Sequence, residues 1–179
     1  MIYFFIVVIV VLIIILLIIH LISQKYNLVL LKINKGKEDI EYYLSEKLNM
    51  LNKCRELISN ELKDDDVLKR LDDINKDDSF SLNDSLKTVY NDLLKVLDEN
   101  DKLIKSEDIS NIVTNLRENE SNILGLVKYY NDNSKYYNKL IHKFPTSIIA
   151  FIKNYKDNKY YNDEKIELFE ILNDNTKED

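Results

Sequence analysis

The chain has 179 residues and a net charge of −6, with only two glycines, one proline and one cysteine. So few turn residues argue against an all-β sandwich or barrel, and the acidic balance argues against nucleic acid as a partner, because such proteins need a concentrated basic face. A single cysteine forms neither an intramolecular disulfide nor a cysteine-based zinc cluster.

The N-terminal segment is apolar: its first nineteen residues contain no charged side chain, no glycine and no proline. At about 1.5 Å per residue, such a helix covers nearly all of the ~30 Å hydrocarbon core of a bilayer. A cleavable signal peptide would have a basic start and a small-residue cleavage site, and neither is present. We therefore expect residues 1–22 to be a retained transmembrane helix that holds the protein in the lipid bilayer of the cell membrane.

Basic residues flank this segment on one side only, since Lys25, Lys32, Lys35 and Lys37 follow it and none precedes it. Lysines near the end of a transmembrane helix favour the cytoplasmic side. This asymmetry predicts a single-pass protein with its N-terminus outside and its C-terminal domain in the cytoplasm.

The anchor is expected to continue into the first helix of the following domain, because Gly36 alone is a weak breaker. The predicted buried face of that helix has steps of four and three residues: Leu44, Leu48, Leu51, Arg55, Ile58 and Leu62. An aspartate-rich stretch from Asp64 to Asp78 then predicts a solvated connector that contains one short helix.

A second helix is expected to begin near Ser81, with Asp84 as a capping partner, and to end before a loop at 100–106. The longest helix is predicted over 107–143, where Pro145 ends it because proline has no N–H to donate. Its predicted seam alternates steps of four and three residues: Ile109, Val113, Leu116, Glu120, Ile123, Val127, Tyr130, Ser134, Tyr137, Ile141 and Phe144. A short helix from Ser147 to about Tyr155 follows.

These elements predict an all-α fold, in which one N-terminal transmembrane helix is followed by an elongated antiparallel helix bundle. The expected organisation is an anchor at 1–22, a bundle at 23–160 and an amphipathic, acidic tail at 161–179. A continuous coiled-coil oligomer is the alternative, because the long seam has heptad spacing.

Several short motifs surround the long helix: Tyr26-Asn27, Glu120-Ser-Asn-Ile123, Tyr129-Tyr-Asn131, Tyr136-Tyr-Asn138, Phe144-Pro145 and Ile148-Ile-Ala150. In order and spacing they resemble the LemA family of bacterial membrane-anchored helical proteins. The resemblance implies a helical bundle on one anchor, without an established activity, and an association with other membrane or envelope proteins.

Nine residues are candidates for an interaction or family-motif site: Tyr26, Asn27, Glu120, Tyr130, Asn131, Tyr137, Asn138, Phe144 and Pro145. The two Tyr-Asn pairs of the long helix are seven residues apart, so they share one helix face. That face either docks a partner or packs inside the bundle, with the tyrosine hydroxyls at its rim. The sequence leaves both alternatives open.

The sequence shows no pattern typical of a metal site or of a catalytic site. The acidic connector lacks the glycine of a calcium-binding loop, and the two histidines, His20 and His142, are not arranged beside a nucleophile. We expect no cofactor, no metal and no enzymatic activity. The favoured hypothesis is a non-catalytic membrane-anchored scaffold or protein-interaction module of the bacterial envelope, and the alternative is a self-assembling structural or envelope-stress component, a homo-oligomer.

Overall fold

The structure is a computed structural model that describes residues 1–62 and 69–161. Its helices are α1 (Ile2–Leu62), α2 (Ser79–Glu99), α3 (Asp101–Ile104), α4 (Glu107–His142) and α5 (Thr146–Ile152), with a 3-10 turn at Lys69–Leu71. The described residues contain no strand, which confirms the predicted all-α class with a long apolar N-terminal helix. The predicted tail beyond 161 and residues 63–68 of the connector lie outside the described residues.

Helix α1 joins the apolar segment to the rest of the protein without a break. Side chains 1–21 are all exposed, and this part of α1 is long and apolar enough to cross a membrane. Gly36 lies buried within the same helix and does not interrupt it. The predicted continuity is confirmed.

The chain divides into two compact units, and α1 and α4 contribute to both. The first unit comprises Met1–Lys35 and Tyr130–Lys159, so it contains the apolar part of α1, the end of α4 and all of α5. The second comprises Gly36–Tyr129 together with the segment that begins at Tyr160.

In the second unit, α2 runs parallel to α1. The Lys37 ammonium lies 5.9 Å from the Phe80 ring centroid, and the Lys47 ammonium lies 5.2 Å from that of Tyr90. The connector makes this direction possible because it returns alongside α1, where the two terminal guanidinium nitrogens of Arg55, Nη1 and Nη2, donate to the Asp72 carboxylate at 2.7 and 3.0 Å.

Helix α4 runs antiparallel to α2 in this unit. Burial raises the pKa of the Tyr90 hydroxyl, and Arg117 lies close enough to Tyr90 to offset part of this rise. Ile109, earlier in α4, lines a common cleft with Leu97, later in α2. The antiparallel packing that the sequence predicts is therefore found between α4 and α2. The parallel packing of α1 and α2 was not predicted.

Half of the predicted buried face of α1 is confirmed, because Leu44, Leu51 and Ile58 are buried, whereas Lys47 and Cys54 are buried in place of Leu48 and Arg55. The buried residues of α1 in the second unit include Ile40, Leu44, Lys47, Leu51, Cys54 and Ile58. Leu48 and Arg55 are only half-buried, so their assignment to the stripe was wrong. The predicted and the observed sets both have steps of four and three residues, so the spacing does not distinguish them. The Arg55 side chain binds the Asp72 carboxylate on the connector.

The predicted seam of α4 is confirmed from Ile109 to Ile141 at its aliphatic and tyrosine positions and at Ser134, all of which are buried. Two of its positions were wrong. Asn119 is buried in place of Glu120, and its amide donates to the Tyr43 carbonyl at 3.2 Å. Phe144 is 76% exposed because it lies beyond the end of α4 at His142.

The start of α2 also differs from the prediction. The helix begins at Ser79, and the Asp78 carboxylate accepts a hydrogen bond from the Ser81 N–H at 3.3 Å. A side-chain acceptor at this position satisfies one of the free N–H groups of the first turn. Asp78, and not Asp84, is therefore the capping residue.

Candidate functional site: the tyrosine cluster and the buried ion pair

Tyr26 on α1 closes the C-terminal end of α4. Its buried hydroxyl lies 3.0 Å from the Leu140 carbonyl oxygen and 3.1 Å from that of Thr146. The Thr146 hydroxyl lies 2.6 Å from the carbonyl oxygens of Leu140 and Lys143. Because the last carbonyls of a helix have no partner within the helix, these two hydroxyls supply donors that α4 itself lacks.

Three aromatic rings surround this point, and we call Tyr26, Tyr137 and Tyr155 the tyrosine cluster. The Tyr26 ring centroid lies 5.1 Å from that of Tyr155 and 6.1 Å from that of Tyr137, the latter in an edge-to-face arrangement. Burial raises the pKa of both Tyr26 and Tyr137 above the usual value of 10.0. Both hydroxyls therefore stay protonated, and that of Tyr26 is the donor to the carbonyl oxygens at the end of α4.

Tyr155 reaches the cluster because of the way α5 ends. Asn154 has a φ of 52°, in the left-handed region, and its N–H donates to the Phe151 carbonyl at 3.2 Å. The Tyr155 N–H donates to the Ala150 carbonyl at 2.9 Å. These two bonds form a Schellman motif, which turns the chain back at the end of a helix. The prediction carried this helix to about Tyr155 and so missed the cluster's third ring, although an asparagine, which tolerates this conformation, was the available signal.

Asn138 holds the segment after α5 against α4. Its side-chain amide donates to the Asn158 carbonyl at 2.9 Å, and its side-chain oxygen accepts from the Asn158 N–H at 2.8 Å. The Asn158 side chain in turn lies 3.4 Å from the hydroxyl oxygen of the fully buried Ser134. The second Tyr-Asn motif thus binds the protein's own main chain.

Glu120 lies in the second unit, where it pairs with Lys47. The Lys47 side chain is only 1% exposed, and its ammonium donates to the Glu120 carboxylate. The Tyr90 ring lies near the same ammonium, in a cation–π arrangement. Leu48, and not Lys47, was predicted on the buried face, because both fit the helical spacing and leucine is the more apolar of the two.

The sequence model of the LemA family matches residues 37–170, which is more than half of the chain. This chain belongs to the LemA family. No curated protein and no solved structure gives a significant match. The matched LemA segment includes the long helix and its Tyr-Asn and Phe-Pro motifs, and it leaves out Tyr26-Asn27.

Across this LemA-family chain, the candidate site residues fall into three groups by burial. Tyr26, Tyr130 and Tyr137 are buried, Glu120, Asn131 and Asn138 are half-buried, and Asn27, Phe144 and Pro145 are exposed. The structure brings Tyr26 together with Tyr137. The three tyrosines pack within the protein. A role of the nine residues in an interaction stays a prediction.

Within residues 1–62 and 69–161 of the LemA-family chain, no group of His, Cys, Asp and Glu is arranged to hold a metal ion. Cys54 is fully buried, and burial raises its thiol pKa from 9.0 to about 11. A thiol with this pKa is almost entirely protonated at neutral pH, so it is a poor nucleophile.

Proposed function

We propose that this protein is a non-catalytic, single-pass membrane protein of the bacterial envelope that binds another membrane protein through α1. The observation that carries the proposal is an exposed leucine stripe, formed by Leu21, Leu28 and Leu31. These leucines are 63%, 62% and 66% exposed, and their spacing of seven and three residues places them on one face. Tyr26 and Ile33, which are buried, lie on the opposite face of α1.

The leucine stripe begins inside the apolar segment and continues beyond residue 22. Leucines with this spacing form the seam through which two helices pack as a coiled coil. Contiguous exposed apolar surface marks protein–protein or membrane interaction sites. A helix that covers this stripe along its whole length also passes through the bilayer, so the proposed partner is itself a membrane protein.

A retained anchor is part of this proposal. It is supported by the continuity of α1, because a cleavage site near residue 22 would fall inside an unbroken helix that leads directly to the buried Tyr26. The mass of the protein extracted from membranes tests this point. A species of 21.2 kDa supports retention, and a product shorter by the apolar segment contradicts it.

The proposed orientation places the bundle in the cytoplasm. Exposed Lys25 and Lys32 follow the apolar segment, as the positive-inside rule requires for a cytoplasmic side. Cys54 is too deeply buried for a labelling assay, so we suggest the Cys54→Ala variant with Asn122→Cys, at an exposed position of α4. Labelling of intact cells by a membrane-impermeant maleimide would contradict this orientation, and labelling only after lysis would support it.

The non-catalytic part of the proposal is supported by what the motif side chains do. The Tyr26 hydroxyl donates to main-chain carbonyls, and the Asn138 amide pairs with the main chain of Asn158. These groups are occupied in holding helices together, and the raised pKa of Tyr26 disfavours the phenolate that a nucleophile or base would need.

Photo-crosslinking in native membranes tests the partner. A photoreactive amino acid at Leu28 or Leu31 is expected to form an adduct with another membrane protein, whereas the same amino acid at the exposed Lys53, also on α1, is expected to form none. Adducts of equal yield at all three positions, or at none, would contradict the proposal.

The same experiment distinguishes the second candidate function, a self-assembling structural component. Heptad spacing favours it as well, because a leucine stripe is complementary to its own copy in a symmetric dimer. An adduct with twice the mass of the chain, obtained from Leu28 and Leu31 alone, would replace the hetero-partner with a homo-oligomer.

A further inference from the structure

We propose that α5 is a second membrane contact, which lies in the headgroup layer beside the anchor with its outer face turned toward the lipid. The proposal rests on the retained anchor described above. It assigns a bilayer surface to a helix that otherwise exposes large apolar side chains to water.

The outer face of α5 is apolar and exposed. The side chains of Ile148, Phe151 and Ile152 are 52%, 89% and 72% exposed, and spacings of three and four residues place them on one side of the helix. Ile149 and Ala150 are buried on the other side, so α5 is apolar on both faces. Phe144, just before the helix, adds another exposed ring.

Contacts within the first unit place α5 beside residues 23–26 of α1. Near the start of α5, the Tyr26 hydroxyl donates to the Thr146 carbonyl, and just after its end the Lys153 ammonium donates to the Ser23 hydroxyl at 3.2 Å. If the hydrocarbon core ends near residue 22, Ser23 to Tyr26 extend roughly 6 Å beyond it, at about 1.5 Å per residue. The headgroup region on each side of a bilayer is about 5 to 7 Å thick, so α5 lies within it.

The charge around α5 also suits a bilayer surface. Residues 139–159 contain five lysines and one aspartate, in a chain whose net charge is −6. Lys143 and Lys153 flank α5 and are exposed. Aromatic and aliphatic side chains that enter the acyl boundary, with lysines directed toward anionic headgroups, are typical of interfacial helices.

Tryptophan fluorescence tests this contact, because the chain contains no tryptophan of its own. The full chain would be reconstituted, as Phe151→Trp and as Ile152→Trp, in phosphatidylcholine–phosphatidylglycerol vesicles with or without bromine on the upper acyl carbons. Both variants are expected to lose fluorescence at least twofold in the brominated vesicles. The matched control is Tyr42→Trp, an exposed aromatic position of the second unit, and its fluorescence is expected to stay unchanged.

A further variant, Leu12→Trp, separates this inference from the proposed anchor. Quenching of Leu12→Trp without quenching of either α5 variant would overturn the α5 contact and leave the anchor standing. Absence of quenching in Leu12→Trp, also in vesicles brominated near the ends of the acyl chains, would overturn the anchor itself. A blue-shifted but unquenched emission from Phe151→Trp would also overturn the lipid contact, because protein and not lipid would then cover the face.

Discussion

The ammonium group of Lys47, on α1, is paired with the carboxylate of Glu120, on α4, at a point where Lys47 is almost completely buried. Removing two charges from water costs about as much as their attraction returns, so such a pair adds little net stability. Each partner nevertheless depends on the other, because a buried charge without its counter-charge is strongly unfavourable. The Tyr90 ring beside the ammonium compensates only part of that cost.

We therefore expect Glu120→Leu to lower the free energy of unfolding by about 3 kcal/mol, because it leaves Lys47 buried without its carboxylate. Adding Lys47→Met should recover most of this loss. Urea unfolding of the full chain in detergent, followed by circular dichroism, measures both values. Glu118→Leu, at an exposed position of α4, is the control and should change stability by less than about 0.5 kcal/mol. A double variant no more stable than Glu120→Leu would contradict the interpretation.

Tyr26→Phe tests whether the Tyr26 hydroxyl, on α1, caps the C-terminal end of α4. The variant keeps the ring in the tyrosine cluster and removes the donor to the Leu140 carbonyl, so unfolding should become easier by about 1 kcal/mol. The Thr146 hydroxyl still donates at this point and limits the loss. Tyr42→Phe removes an exposed hydroxyl that donates to Glu46, and it should have no measurable effect. Equal stabilities of the two variants would argue against the capping role.

Buried titratable groups predict a loss of stability at alkaline pH. Burial raises the thiol pKa of Cys54 from 9.0 to about 11, and it raises the pKa of Tyr26, Tyr90, Tyr130 and Tyr137 above 10.0. Because the folded-state values are the higher ones, the unfolded chain ionises first as the pH rises. Stability should therefore be constant between pH 7 and about pH 9 and fall above pH 9, with Cys54 alone accounting for roughly 2 kcal/mol at pH 11.

The Cys54→Ala variant separates the thiol from the tyrosines. Its unfolding midpoint is compared with that of the parent at each pH from 7 to 11, so that the small cavity left by the substitution cancels as a constant offset. The decline should begin nearer pH 10, where the tyrosines of the unfolded chain ionise. An unchanged onset near pH 9 would show that Cys54 does not contribute.

The sequence predicts elements of this fold whose cause is local. The length of α1 and the end of α4 follow from uninterrupted apolar spacing and from Pro145, and the structure agrees with both. The choice between Lys47 and Leu48 as the buried residue is different, because both fit the helical repeat. It is decided by Glu120, which lies 73 residues further along the chain.

The candidate site shows the same division between local and distant causes. Tyr26 and Tyr137 carry a visible motif, but their contact depends on α1 and α4 meeting in space. The third ring, Tyr155, enters through the turn at Asn154. The parallel direction of α2 likewise depends on the connector. Its aspartates predict only a solvated segment, and the sequence does not indicate that Asp72 binds Arg55 on α1.

The turn at Asn154 provides the last prediction. With a φ of 52°, this residue is in a conformation that glycine adopts freely and that a Cβ disfavours by about 1 to 2 kcal/mol. Asn154→Gly should therefore retain or slightly raise the unfolding midpoint, whereas Asn154→Ala should lower stability by about 1 kcal/mol. Because Asn154 directs Tyr155 into the cluster, the alanine variant should also increase amide hydrogen exchange at Tyr155, whose N–H donates to Ala150. If alanine and glycine gave the same stability and the same exchange, the left-handed turn would not be what holds the third ring in place.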